Sequence, residues 1–290
     1  MLTSPSAVWT AWSVDPLVVV GLLAAGGAYA RGLSGRRRRP PRWRSAAVAV
    51  GLAAGFVARV SPLEAMSGAL ASAHMVQHVL LVGVAAPAFA LSRPGVVLVR
   101  GSPPALRRGV TAVRVRLRLG TPRVRAVLRP AVAWLLYVGA LWTWHAAWLY
   151  DAALRHEVVH VLEHVSFFGT ALVFWSVAVG VRGRHRVDRG QGMFLVFAAA
   201  LPTILLSALM VFASAPWYEG YATTTAAWGL SHLADQKLAG VIMWVPASAI
   251  HVGAVLSLLA AWMRETDRAA APAAPAMPRG PVDVSEGPST

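Results

Sequence analysis

The chain contains no cysteine. Disulfides, thiolate zinc sites, iron–sulfur clusters and cysteine-based copper carriage are therefore excluded. Any metal must be held by His, Met, Asp, Glu or a backbone group. Charge is also scarce: 13% of the 290 residues are charged, against about 25% in soluble domains. Acidic residues number 12 against 27 basic ones, for a net charge of +15, and Lys237 is the single lysine. Such a balance in a soluble protein points to nucleic acid. Here 57% of residues are hydrophobic, and the arginines gather in short segments between apolar runs. That is the topology signal of a membrane protein, with the lipid bilayer as partner and no nucleic acid.

A bilayer core needs about 20 apolar residues per helix. Seven stretches qualify: 16–30, 45–60, 69–91, 130–150, 157–180, 192–213 and 233–262. The expected fold is an all-α polytopic helix bundle of about seven spans over residues 16–265. An outer segment, 1–15, precedes it and a disordered cytoplasmic tail, 266–290, follows. Met1 to Pro16 has no basic n-region, so no secretory signal is expected. Segments 31–44, 92–129 and 181–190 hold seven, ten and four arginines, whereas 61–68, 151–156 and 214–232 hold only Arg155. The positive-inside rule puts the Arg-rich loops in the cytoplasm, the N-terminus outside and the C-terminus inside. The long loop 92–129 reads as a topology anchor; its VRVRLRL run also suits anionic headgroups.

Histidine is what the spans hold in excess. His74, His78, His145, His156, His160, His164 and His232 fall toward the outer ends of their segments. His251 lies in an inner half, and His185 lies in a basic loop where solvation suffices. Ionisable residues inside a membrane are costly and mark functional sites. His74 and His78 are i and i+4 on one helix face, and His156, His160 and His164 form a stripe at the same spacing. A lone His in a helix interface is ordinarily a satisfied hydrogen-bonding residue. Two such pairs plus His145 at one depth favour a ligand site, with a proton relay or structural network as the alternative.

The metal candidates are thus His74, His78, His145, His156, His160, His164 and Asp235. Asp235 also reads as an orienting partner of an imidazole or a partner of Lys237. Gln77, Glu163, Met210 and His232 are candidates to support the site from behind. Imidazole serves copper, zinc, iron and nickel, while thioether selects Cu(I). Met75 and Met210 read better as core than as ligands. Copper is the expected cofactor, with zinc and haem iron left open. His156-Glu157-Val158-Val159-His160 fits the zincin pattern H-E-x-x-H, and His160 to His164 fits the inverted H-x-x-E-H form. Both within nine residues suggest a dense histidine helix more than a protease. Trp142, Trp144, Trp148, Trp217 and Tyr218 read as an interfacial aromatic belt. Pro202 and Pro246 are expected to kink their helices or free a carbonyl near the site.

Four stretches carry a family resemblance. They are Ser72-Ala73-His74-Met75-Val76-Gln77-His78-Val79-Leu80-Leu81, then Trp144-His145 with Leu149-Tyr150. The third runs from His156 through His164 with Phe167 and the Ala171–Trp175 run. The last is Asp235-Gln236-Lys237-Leu238-Ala239-Gly240-Val241-Ile242-Met243-Trp244-Val245-Pro246. In this order they resemble the CtaG-type assembly factors of cytochrome c oxidase, multi-pass proteins of the bacterial plasma membrane. The likeness spans roughly residues 15–265. It implies a non-enzyme that assembles an aa3- or caa3-type oxidase, has that oxidase's subunits as partners, and takes part in handling its copper. The rival readings are an intramembrane zinc protease with Glu157 as base, a b-haem electron carrier, and a metal or proton transporter.

Overall fold

The computed structural model describes residues 5–34, 39–116, 121, 126–180 and 187–270. Arg36 to Arg38, Leu117 to Leu119 of the VRVRLRL run, His185 and most of the expected tail lie outside that set. Among the described residues every regular element is helical. Helix α1 spans Pro16–Ser34, α2 Arg42–Arg59 and the short α3 Pro62–Ser67. The long α4 covers Ala71–Ser92. Helices α5 (Gly95–Gly101) and α6 (Pro104–Arg116) follow. Then come α7 (Pro130–Trp144), α8 (Ala147–Arg155), α9 (Glu157–Ala178), α10 (Arg189–Val211) and α11 (His232–Ala270).

Helices α1, α4, α9, α10 and α11 are each long and apolar enough to cross a bilayer, and α7 with α8 makes a sixth crossing if the bent pair counts as one. Helix α2 is the seventh expected span. Its 18 residues include Arg42, Arg44 and Arg59, and these ends hold its hydropathy below that of the others. The expected single span over 130–150 is instead two helices meeting at 74°. His145 sits at the break, and α8 restarts at Ala147.

Local chemistry accounts for several helix ends. The Ser61 hydroxyl accepts the Leu63 N–H at 3.3 Å with Pro62 as the first helical residue. Asp188 accepts the Gln191 N–H at 2.7 Å. Both are N-cap bonds that satisfy donors the helix itself cannot. Inside α4, residues Val79–Ala85 widen into a π-turn. Pro87 follows it; proline lacks an N–H and crowds the carbonyl one turn back. The Trp175 indole N–H, from α9, donates to the Val82 carbonyl of that turn at 3.2 Å. Helices α10 and α11 run unbroken through Pro202 and Pro246.

Glycines let helices meet backbone to backbone. A Cβ on Gly101 of α5 would overlap the Ala28 carbonyl oxygen of α1. One on Gly240 of α11 would lie 3.0 Å from the Ser207 carbonyl oxygen of α10. The described interior holds three buried clusters, of which the smallest joins Tyr29, Val48 and Val97. A second holds Tyr137, Phe174, Trp175, Val196 and Leu258. The third holds Met75, Tyr150, Phe167, Met210, Tyr218 and Tyr221, and surrounds the histidines. Leu17, Val20 and Leu23 of α1, Val158 and Val165 of α9, and Phe194 and Phe197 of α10 point outward, as lipid-facing residues do.

The segment between α10 and α11 folds across the histidine end of the bundle. Tyr218 and Tyr221 are buried there. Tyr218 stacks on Tyr150 with ring centroids 3.9 Å apart, and the Thr224 hydroxyl donates to the Ala69 carbonyl at 2.6 Å. Tyr218 therefore belongs to a cover over the interior. Trp148 and Trp142 are the exposed members of the expected belt, while Trp144 turns in to donate to the Ser166 hydroxyl at 2.6 Å.

Candidate metal centre

Helices α4 and α9 bring five of the expected residues together. His74 and His78, one turn apart on α4, set their Nε2 atoms 2.9 Å from each other. From α9, the Glu163 carboxylate stands 3.6 Å from His74 Nε2 and 3.5 Å from His78 Nε2. His74, His78 and His164 each offer a ligand atom within 4.8 Å of the others, and so do His74, His160 and Glu163. The rings of His160 and His164 lie 5.5 and 5.6 Å from that of His74, centroid to centroid. Spacing explains the convergence: i and i+4 on α4 face i and i+4 on α9, and Glu163 occupies the i+3 position of the same stripe.

Satisfaction is incomplete at this group. Glu163 is fully buried, yet neither carboxylate oxygen has a hydrogen-bond partner. The same holds for His78 Nδ1, His160 Nε2 and His164 Nε2. Buried polar groups are ordinarily paired, and an uncompensated buried carboxylate is among the most costly arrangements in a protein. Several imidazoles and one carboxylate, with no thiolate, make a donor set that fits copper or zinc. His74, His78, His160 and Glu163 are the residues that would hold it.

The surroundings fix two of these rings. His74 Nδ1 lies 3.3 Å from the Tyr221 hydroxyl, which itself donates to the Ser67 carbonyl at 2.9 Å. His74 Nδ1–H therefore donates to the tyrosine oxygen. Burial pushes the Tyr221 hydroxyl well above its ordinary titration range, so it stays protonated. On the other side, Arg59 Nη1 stands 3.1 Å from His164 Nδ1 and 2.9 Å from Glu64 Oε2. A guanidinium only donates, so His164 Nδ1 accepts and its neutral ring carries the proton on Nε2. His164 can ligate through Nε2 only if that proton leaves and Arg59 turns aside.

Gln77, on the same helix, ties α4 to α2 and α3 and makes no hydrogen bond to the group. Its amide N–H donates to the Ala58 carbonyl and to Glu64 Oε2, each at 2.6 Å. Arg59 and Glu64 were not singled out from the sequence. The available signal was an arginine in the last turn of an apolar span at the end where arginine is otherwise scarce, with a glutamate five residues on.

The other expected residues lie elsewhere. His156 is exposed at the N-cap of α9, with extended backbone. The helix begins after it, so it leaves the stripe, and Glu157 is exposed beside it. Asp235 is fully buried, but its oxygens accept the Ala71 N–H at 2.7 Å, the Ser72 N–H at 3.2 Å and the Ser72 hydroxyl at 2.5 Å. It caps α4 from another helix. His232 Nε2 donates to the Tyr218 carbonyl at 2.7 Å, and Met210 packs in the core against Gly240. His145 lies just beyond the group, 6.2 Å from His78 between ring centroids. Its Nδ1 donates to the Leu141 carbonyl at 2.7 Å.

An uncharacterized protein of Mycobacterium bovis and another of Mycobacterium tuberculosis are each 27% identical over 277 residues, covering 91% of this chain. The chain spans 41% of the length of each of these relatives. No solved structure matches. Residues 27–265, which contain the whole histidine group, match the cytochrome c oxidase caa3 assembly factors, and the chain belongs to that family, Caa3_CtaG.

Proposed function

We propose that this protein assembles a copper-containing cytochrome c oxidase by holding or passing copper at the group formed by His74, His78, His160 and Glu163. The observation that carries the reading is the fully buried Glu163 carboxylate, which has no hydrogen bond and stands 3.5–3.6 Å from two imidazoles of α4, with His160 of its own helix close by. A bound cation would neutralise that charge and satisfy the ring nitrogens at once. Protonation of one imidazole is the competing way to do so. The positive-inside pattern supports an outward position for this end of the bundle, on the side where a copper centre facing that compartment could be loaded. The client is a subunit of the oxidase, and the role is one of binding rather than turnover.

The protease alternative needs His156 and His160 on one face with Glu157 as base. The exposed N-cap position of His156 opposes that geometry. A b-haem needs a flat slot between two imidazoles, and rings packed at 4.4–5.6 Å among His74, His78, His160 and His164 leave none.

Metal content measured by mass spectrometry on detergent-purified protein tests the proposal, with an absorption spectrum on the same sample. Near-stoichiometric copper, lost in His78→Ala/His160→Ala, is the expected result. Zinc in its place revives the protease, a Soret band the haem carrier, and copper flux into vesicles a transporter. Oxidase that keeps its full copper in cells carrying the double variant overturns the assembly role.

A further inference from the structure

Beneath the histidine group lies a partly open chamber of about 50 Å³. His78 and His145 line it toward the group, and His251, from the opposite half of α11, lines it from the far side. Met75 of α4 and Met243 of α11 are also on its walls. Thr203 of α10 and Ala247 of α11 also line it.

His145 and His251 are prepared in the same way. His145 Nδ1 donates to the carbonyl of Leu141, four residues earlier, at 2.7 Å. His251 Nδ1 donates to that of Ala247, again four residues earlier and at 2.7 Å. Each neutral ring thus keeps its lone pair on Nε2. Both Nε2 atoms are buried and have no hydrogen-bond partner. Tying Nδ1–H to a carbonyl is how proteins fix the tautomer of a metal-ligating histidine. A buried acceptor left without a donor costs about 1–3 kcal/mol, so two such acceptors on one chamber require an explanation.

The chemistry of the walls selects the ligand. Among the described residues no carboxylate lines the chamber, so a divalent ion would bring a charge that nothing on these walls offsets. Neutral imidazole and thioether donors suit a soft monovalent ion. His78 borders both spaces: its Nε2 faces His74 and Glu163, and its Nδ1 has no partner.

We propose that this chamber is a second, deeper site for a soft monovalent cation, Cu(I), held by His145 and His251 with help from the thioethers of Met75 and Met243, and reached from the histidine group past His78. The proposal rests on reading that group as a metal site, and extends it inward without change of oxidation state.

The test is a titration of the full chain in detergent with Ag(I), and with Cu(I) under reductant, against a chromophoric competitor. Thermal melting of every variant reports folding. Two equivalents are expected for the wild type and one for His251→Leu. Glu163→Gln/His160→Ala should keep the chamber equivalent. Met243→Leu, nearly isosteric, should keep two while weakening one at least tenfold and removing a sulfur neighbour from the X-ray absorption spectrum of the bound ion. A single wild-type equivalent that survives His251→Leu overturns the chamber site, leaves the group standing, and assigns the two imidazoles to bridging water. A single equivalent lost in His251→Leu but kept in Glu163→Gln/His160→Ala supports the chamber and overturns the group. No bound cation overturns both.

Discussion

Arg59 and His164 are joined by one short contact, Nη1 to Nδ1 at 3.1 Å, across 105 residues of sequence. The cation beside the ring sets the His164 tautomer and adds a positive charge at the edge of the proposed metal group. A unit charge about 6 Å from a bound cation opposes it by about 2–3 kcal/mol at an effective dielectric near 20. Glu64, paired with Arg59 at 2.9 Å, offsets part of that. Arg59→Gln removes the charge but keeps a donor for Glu64. It should raise the affinity for copper or silver roughly tenfold, measured by competition with a chelator. Unchanged or weaker binding would mean that Arg59 holds the group open rather than restraining it.

Asp235 offers a sharper separation of roles. As a ligand it could not be replaced by asparagine without loss of metal. As the cap of α4 it could in part, since the amide oxygen still accepts while the NH2 faces a donor that the second carboxylate oxygen now takes; Ala loses the whole cap. Asp235→Asn should therefore keep the metal stoichiometry while lowering the melting temperature by less than Asp235→Ala does. Asp235→Ala should lower the melting temperature and loosen His74 and His78, which ride on the capped helix. Metal lost in Asp235→Asn at unchanged stability would make Asp235 a ligand after all.

The two histidine pairs and Asp235 differ in how far the sequence reveals them. The i, i+4 spacing of His74 with His78, and of His160 with His164, is a local property of a helix, so spacing alone assigns each pair to one face. Apolar run length locates the spans in the same way. His156 shares the spacing but not the helix, because the backbone at that position is extended and the stripe starts one residue too late to include it. Asp235 caps a helix that begins 164 residues earlier in the chain, a relation that no spacing reveals. The bend at His145, the π-turn after His78 and the folding of Tyr218 and Tyr221 over the histidines are likewise tertiary. They depend on Trp175, Tyr150 and Ser67, which meet them only once the bundle is packed.

Glu64 provides a readout in pH. Burial raises its carboxyl above the ordinary value of 4.5, outweighing the opposite pull of Arg59 and the Gln77 amide. The folded state therefore binds this proton more tightly than the unfolded chain does. Its contribution to stability is present in full below pH 4.5 and is lost as pH rises through the raised folded value. Glu64→Gln cannot titrate and should remove that slope. The wild type's melting temperature, relative to the variant's, should fall as pH is raised from 4 towards neutrality. A relative stability that rises instead would mean that the ion pair with Arg59 outweighs burial.

Tyr221 connects the cover to the metal group, and its hydroxyl is the part that matters. It donates to the Ser67 carbonyl at 2.9 Å, takes the His74 Nδ1–H at 3.3 Å and lies 3.4 Å from the Tyr150 hydroxyl. Tyr221→Phe keeps the ring and leaves a buried carbonyl and a buried N–H unpaired, a cost of about 1–3 kcal/mol. Losing a partner that orients a ligating histidine typically weakens metal binding by about 10–100-fold. Tyr218 is the control. It packs as tightly, but its hydroxyl makes a longer contact, 3.4 Å to the His145 carbonyl. Tyr218→Phe should leave binding near wild type while Tyr221→Phe weakens it by at least an order of magnitude, both measured by the same competition titration. Equal effects would show that the cover acts only as packing. No effect from either would mean that His74 is oriented by α4 alone.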